Sequence, residues 1–131
     1  MPRRRSPRAR TEAESWSDSD AHAFEVFLAN FRTVIIVLSG GASGMEYVLD
    51  QRRVSLGRGP GVDLALDDES LTCHHAELEF VEGGFQLRKL GDAAETRVNG
   101  GLVEAARLKP NDRFQLGALS FSYVVERRPG T

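Results

Sequence analysis

Residues 113–125, RFQLGALSFSYVV, decide the fold class of this chain. Phe114 and Leu116 lie on either side of a polar residue, and so do Phe121 and Tyr123. An apolar residue at every second position is typical of a β-strand with one buried face and one solvated face. The stretch therefore predicts β-structure.

Similar short segments occur upstream as far as Thr33. The run TVIIVL at 33–38 is β-branched, and AELEF at 76–80 alternates apolar with polar residues. Turn sequences such as SGGASG, GPG, EGG and KPND separate the segments. Short strands at close spacing predict an all-β sandwich or barrel. A parallel α/β sheet would need helix-length segments between the strands, and the sequence shows none there. We expect one such domain over residues 33–128.

Residues 1–20 differ in composition from the rest of the chain. They hold five arginines in the first half and four acids in the second half, and they offer little to bury. This composition predicts a disordered tail. A solubilising role and a polybasic contact to nucleic acid or lipid both fit the tail, although its acids would partly cancel the second.

Residues 21–32 have the spacing of a short amphipathic helix. Its apolar face would consist of Phe24, Phe27, Leu28 and Phe31. Ser19 or Asp20 would cap its N-terminus. Because a helix of this length does not persist alone in water, we expect the face to pack on the domain. The alternatives are contact with a partner protein and an irregular segment that leads into the first strand.

The composition narrows the function classes. The chain has 131 residues and a net charge of −2, which fits one domain and argues against binding nucleic acid through phosphate neutralisation. A single cysteine cannot form an internal disulfide, which fits a reducing compartment. No apolar run approaches the roughly 20 residues of a membrane span, and no secretory signal is apparent. We expect a cytoplasmic monomer, of bacterial origin from its Arg, Ala and Gly content.

Residues 71–76, LTCHHA, place the only cysteine beside two of the three histidines. Structural zinc needs about four ligands, and in an extended chain only Cys73 and His75 would share a face. A cysteine nucleophile needs a base within hydrogen-bond reach, whereas the side chains of adjacent strand residues diverge. We therefore expect no metal, no cofactor and no enzymatic activity.

Five short segments follow one another in a recognisable order. They are VSLGR at 54–58, DLALDD at 63–68, TCHHA at 72–76, RVNG at 97–100 and LKPND at 108–112. This series resembles a forkhead-associated (FHA) domain, a β-sandwich module that binds phosphothreonine peptides. The family has Ser where this chain has Thr72, and Gly where it has Asn111. The resemblance covers residues 33–126 and implies an FHA-like β-sandwich of two antiparallel sheets.

The resemblance also implies a role for each matching residue. The expected ligand contacts are Arg58, Thr72, Cys73, His74 and Asn99. The expected supports of the site are Gly57, His75 and Gly100. Arg58 would bind the phosphate through its fork of donors, and Thr72 would donate its hydroxyl. A thiol is a poor donor, so the contact from Cys73 would be weak, and a protonated His74 would partly compensate.

The chain departs from the family in the loop before Thr96. An Asn-Gly of the family, whose Asn binds the peptide main chain, falls on Ala94 and Glu95. Ala94 cannot make that hydrogen bond, and Glu95 would place a negative charge near the phosphate. If the register of the loop is shifted, the family's Asn-Gly does not fall on Ala94 and Glu95, and the loss of the hydrogen bond does not follow. From Thr33 onward there are 11 Lys and Arg against 14 Asp and Glu, so long-range steering of phosphopeptides would be weak.

Two functions remain open from the sequence. One is a phosphothreonine-peptide binding module, an adaptor in Ser/Thr-kinase signalling whose partners are a phosphothreonine protein and a Ser/Thr kinase. The other is a degenerate FHA-like scaffold that binds a protein partner without phosphate. Thr11 is the only threonine of the tail and a candidate phosphosite that would dock into the domain's own site; an unmodified threonine is the alternative.

Overall fold

The structure, a computed structural model, describes residues 17–91 and 95–129. Within these residues one helix precedes eleven strands. The helix, α1, spans Asp18–Asn30. The strands are β1 Phe31–Val37, β2 Glu46–Val48, β3 Arg53–Gly57, β4 Leu64–Ala65, β5 Ala76–Val81, β6 Gly84–Lys89, β7 Thr96–Val98, β8 Gly101–Leu102, β9 Ala105–Arg107, β10 Arg113–Leu116 and β11 Leu119–Arg127.

The strands form two sheets that enclose one core. One sheet has the order β2-β1-β11-β10-β7-β8 and the other the order β4-β3-β5-β6-β9. This arrangement confirms the predicted all-β sandwich of two sheets. In the part of the chain that the structure describes, one pair is not antiparallel: β3 and β4 run parallel, with Leu56 opposite Leu64. The sequence predicted the short strand but not its direction, because two residues carry no pattern that fixes a partner.

The alternation of residues 113–125 has the predicted effect on burial. Phe114 and Leu116 of β10 and Phe121 and Tyr123 of β11 are buried, whereas the serines of β11 lie on the other face. The rings of Phe114 and Phe121 stack with their centroids 4.9 Å apart. This pair of strands therefore supplies much of the wall against which the second sheet packs.

Helix α1 begins earlier than predicted. Ser17 is its N-cap, not Ser19 or Asp20: the Ser17 hydroxyl accepts from the Asp20 amide at 3.1 Å, and the Asp20 carboxylate accepts from the Ser17 amide at 3.0 Å. This reciprocal pair satisfies two amides at the helix start. Residues 17–20 thus belong to the cap and the first turn of the helix, whereas residues 1–16 lie outside the described part of the chain.

The aromatic face of α1 packs on the domain, as predicted. Phe27 is buried, with its ring 5.2 Å from those of Phe80 and Phe31, and the Phe24 ring lies 4.8 Å from that of Phe80. Phe31 reaches this cluster as the first residue of β1, not as part of the helix. The cluster closes the sandwich at the end where β5 turns into β6.

Candidate functional site

Loops from both sheets meet at the opposite end of the sandwich. The segment 58–63 follows β3, the segment 66–75 follows β4, and the turn 117–118 joins β10 to β11. The Ala118 amide donates to the Ser70 hydroxyl at 2.8 Å, which ties the last two together. The Gly117 amide donates to the Glu95 carbonyl at 3.0 Å and brings in the loop before β7.

Backbone contacts fix the start of the 58–63 loop against residues 72 and 73. The Arg58 amide donates to the Thr72 carbonyl at 3.0 Å, and the Gly59 amide donates to the Cys73 carbonyl at 3.2 Å. A Cβ atom at Gly57 would lie 2.1 Å from the Cys73 carbonyl oxygen. Only glycine permits this approach, so Gly57 allows the backbone after β3 to lie against Cys73.

His75 links the same loops from beneath. Its side chain is fully buried, and its Nδ1 accepts from the Thr72 amide at 3.3 Å. Its own amide donates to the Leu56 carbonyl at 2.9 Å, and its carbonyl accepts from the Leu90 amide at 3.0 Å. Because Nδ1 is an acceptor, it carries no proton in this arrangement. These contacts tie the segment 72–75 to β3 and to the segment after β6.

The segment 72–75 bends and is not an extended chain. His75 points into the core, whereas Cys73 and His74 are exposed. The expectation that Cys73 and His75 share one face is therefore wrong. Among residues 17–91 and 95–129, no group of three His, Cys, Asp or Glu side chains is placed to hold a metal ion.

Arg58 and Thr72 are exposed neighbours on this paired backbone. The Arg58 side chain is 45% exposed, and its Nε lies 3.5 Å from Oδ1 of Asp67. With Cys73 and His74 exposed beside them, the structure brings together four of the five predicted ligand contacts. An exposed guanidinium next to a hydroxyl can hold a phosphate through charge-assisted hydrogen bonds.

Asn99 and Gly100 do not lie with these residues. They form the turn after β7, and Asn99 donates from Nδ2 to Asp112 at 3.0 Å and accepts at Oδ1 from the Arg113 amide at 3.1 Å. The length of β7 separates Asn99 from Glu95 at the ligand end by about 13 Å. The structure therefore does not bring Asn99 and Gly100 together with Arg58 and Thr72; the pair stabilises the turn between β7 and β8.

Comparisons with known proteins agree with this fold. A family model described as the inner membrane component of T3SS, cytoplasmic domain, matches residues 36–127. The solved FHA domain of the CT664 protein from Chlamydia trachomatis has a TM-score of 0.66 and 26% identity, covering 71% of this chain and 96% of that one. This chain belongs to the FHA domain family.

Two curated relatives extend the comparison of this FHA domain. The glycogen accumulation regulator GarA of Mycolicibacterium smegmatis is 36% identical over 92 residues, which are 70% of this chain and 58% of GarA. The oxoglutarate dehydrogenase inhibitor of Corynebacterium jeikeium is 30% identical over 114 residues, covering 86% of this chain and 79% of the inhibitor. The match to GarA thus spans less than two thirds of that protein.

The acidic groups of the FHA domain's loops have distinct partners. Hydrogen bonds from the Ser70 hydroxyl at 2.6 Å and the Ser70 amide at 2.9 Å, together with the charge of Arg58, lower the pKa of Asp68. Sequence reasoning missed Ser70, although an Asp two residues before a Ser favours such a turn. Glu95 is exposed, and its carboxylate is 3.3 Å from the Arg97 guanidinium.

Two sequence expectations fall outside the described residues. Ala94 lies in the undescribed segment 92–94, and Thr11 lies before Ser17. In the described part of the chain no helix is long and apolar enough to cross a membrane.

Proposed function

We propose that this FHA domain is a phosphothreonine-peptide binding module and acts as an adaptor in Ser/Thr-kinase signalling. The observation that carries the proposal is the exposed Arg58–Thr72 pair, fixed by two backbone hydrogen bonds and by the close approach at Gly57. An arginine fork matches phosphate oxygens in two directions at once. Loops that are already ordered lose little conformational entropy when a ligand binds.

The names of the relatives support a regulatory role rather than an enzymatic one. One is called a regulator of glycogen accumulation and the other an inhibitor of oxoglutarate dehydrogenase. For this chain we propose a cytoplasmic monomer whose partner is a phosphothreonine-containing protein, with a Ser/Thr kinase as a second partner. Phosphorylation of Thr11 remains part of the proposal, as a ligand tethered to the domain.

A phosphate-independent scaffold is the second candidate. It is favoured by the exposed acids beside the site, Asp67 and Glu95, which a phosphate dianion would have to approach. The Phe-rich face of α1 gives this candidate no support, because Phe27 is buried against the domain's own core. A scaffold surface would therefore have to lie on the sandwich itself.

The test is a titration with phosphothreonine peptides and with matched unphosphorylated peptides, measured by isothermal titration calorimetry. Arg58→Ala should weaken phosphopeptide binding about 10- to 100-fold, because it removes a charged donor. Arg113→Ala is the matched control, since it removes an exposed arginine at the other end of the sandwich and should leave affinity unchanged. Wild-type protein that binds no peptide in a phosphate-dependent manner would refute the proposal, and partner binding that Arg58→Ala leaves intact would favour the scaffold.

A further inference from the structure

The guanidinium of Arg58 already has a counterion in the free protein. Its Nε lies 3.5 Å from Oδ1 of Asp67, whose carboxylate is 96% exposed. The charge of Arg58 also contributes to the lowered pKa of Asp68. A phosphate that binds the Nη groups of Arg58 therefore competes with Asp67 for the guanidinium and remains close to the negative charge of Asp67.

The two neighbouring carboxylates differ in what holds them. Asp68 accepts hydrogen bonds from both the amide and the hydroxyl of Ser70, so it stays in place when a ligand arrives. Asp67 is held by its ion pair with Arg58. An exposed ion pair of this kind is weak and is readily exchanged for a better partner. Of the two carboxylates, Asp67 is thus the one whose partner a bound phosphate can take.

A cleft begins at Asp67. It has a volume of about 300 Å³ and lies between the β1–β2 loop and the segment 66–68. Its lining includes two acidic residues, Asp67 and Asp68, and three apolar ones, Ala42, Leu66 and Leu119. A long basic side chain suits such a cleft, because its aliphatic stem packs on apolar atoms while its charged end reaches the acids.

We propose that Asp67 is a specificity residue that exchanges Arg58 for an arginine or lysine of the ligand. The preferred ligand is then a phosphothreonine peptide with a basic residue within a few positions of the phosphothreonine. The basic side chain enters the cleft as the phosphate binds Arg58, so each charge of the resting ion pair gains a partner from the ligand. This inference rests on the proposed function, and it names the class of ligand for the same site.

The electrostatic effect is large enough to measure. At physiological ionic strength the screening length is about 8 Å, so a dianion bound at Arg58 still interacts with the neighbouring carboxylate. For exposed charges at such separations, removing the repulsion or adding an opposite charge should change affinity about three- to tenfold. The difference should shrink as salt is added.

The experiment compares pairs of phosphothreonine peptides. The two peptides of a pair carry lysine or glutamine at one position, and the pairs cover the three positions before and the three positions after the phosphothreonine. Wild-type protein should bind the lysine peptide about three- to tenfold more tightly at one or more positions. Asp67→Asn should abolish that preference and bind the glutamine peptide more tightly than wild type does. Glu69→Gln is the matched control, because it removes an exposed acid from the same turn without touching the Arg58 ion pair, and it should keep the preference.

The outcomes separate this inference from the proposed function. If wild type binds phosphopeptides and Arg58→Ala weakens that binding about 10- to 100-fold, but Asp67→Asn behaves like wild type, the inference is wrong and the proposed function stands. If Glu69→Gln loses the preference for the lysine peptide as Asp67→Asn does, the net charge of the turn determines that preference and Asp67 does not. This result also overturns the inference. If no peptide binds in a phosphate-dependent manner, both are wrong.

Discussion

Replacing Gly57 with alanine should separate the two loops that carry Arg58 and Thr72. The new Cβ would lie 2.1 Å from the carbonyl oxygen and 2.8 Å from the carbonyl carbon of Cys73, and 3.0 Å from the Thr72 oxygen. Since ordinary contacts to a Cβ begin at 3.4 Å, the backbones would have to move apart by roughly 1.3 Å. All of these atoms belong to the backbone, so no side-chain rotation relieves the clash.

The movement determines the expected loss of stability. The Arg58 amide, now 3.0 Å from the Thr72 oxygen, would retreat to about 4.3 Å, beyond hydrogen-bond distance, and the Gly59 amide would follow. Two backbone hydrogen bonds at about 1 kcal/mol each, with an overpacking penalty of about 1–3 kcal/mol, give a loss of roughly 3–5 kcal/mol. Phosphopeptide affinity should fall as well, because the two ligand-binding side chains lose their fixed spacing.

Urea denaturation monitored by fluorescence measures the loss of stability, and peptide titration measures the loss of affinity. Gly41→Ala is the matched control, because a Cβ there meets no atom within 4 Å and the backbone conformation is ordinary. It should change stability by less than about 0.5 kcal/mol. A Gly57→Ala protein as stable as Gly41→Ala, with unchanged peptide affinity, would show that the close approach at Gly57 does not order the site.

Two further predictions concern the far end of the sandwich. Phe27→Ala should cost about 3–4 kcal/mol in urea denaturation, because it removes a buried ring from a cluster with Phe80 and Phe85; a loss below 1 kcal/mol would mean that α1 is not part of the folded core. Burial raises the pKa of Tyr123 to about 12, whereas an exposed phenol titrates near 10. The unfolded chain therefore releases this proton at lower pH than the folded protein does, so stability should fall between about pH 10 and 12 by roughly 2–3 kcal/mol. Tyr123→Phe should lack that part of the decline, and identical slopes for both proteins in urea melts at pH 9, 10.5 and 12 would contradict the assignment.

The sandwich could be predicted because alternation in a strand reports directly which face is buried. Phe121 and Tyr123 needed no knowledge of their partners to be placed in the core. Glu77 shows the limit of this rule: it alternates as a solvent-facing residue, yet it is buried, with Arg53 Nε 3.5 Å from its carboxylate. Long-range pairing of that kind is absent from a local pattern.

The helix boundary and part of the site required three-dimensional geometry. Ser17, Ser19 and Asp20 are all good cap residues, so local preference alone could not select Ser17. Asn111 stands where the family has Gly, and its φ of 75° shows why the exchange is tolerated: Asn adopts the left-handed conformation more readily than most residues. The order of motif segments located Arg58, Thr72 and His75.

The separation of Asn99 from Arg58 and Thr72 has a related cause. A motif places an Asn-Gly turn along the sequence but does not say at which end of a strand the turn lies. The hydrogen bonds to Asp112 and Arg113 settle that question for Asn99, and the backbone φ of 49° fits a tight turn. Structural information is therefore needed wherever the same residue types, such as Asn-Gly, occur both in a family's turns and at its ligand contacts.

Strand β11 has a practical consequence for measuring these interactions. It starts at Leu119, beside the ligand loops, and its eight residue steps carry the chain about 26 Å away by Arg127. Arg128 is then held against the end of α1 by hydrogen bonds to the carbonyls of Leu28 and Asn30. An affinity tag attached after this point would anchor the protein to a biosensor surface with the Arg58 loops directed towards the solution. Immobilised protein should then report the same peptide affinities as free protein.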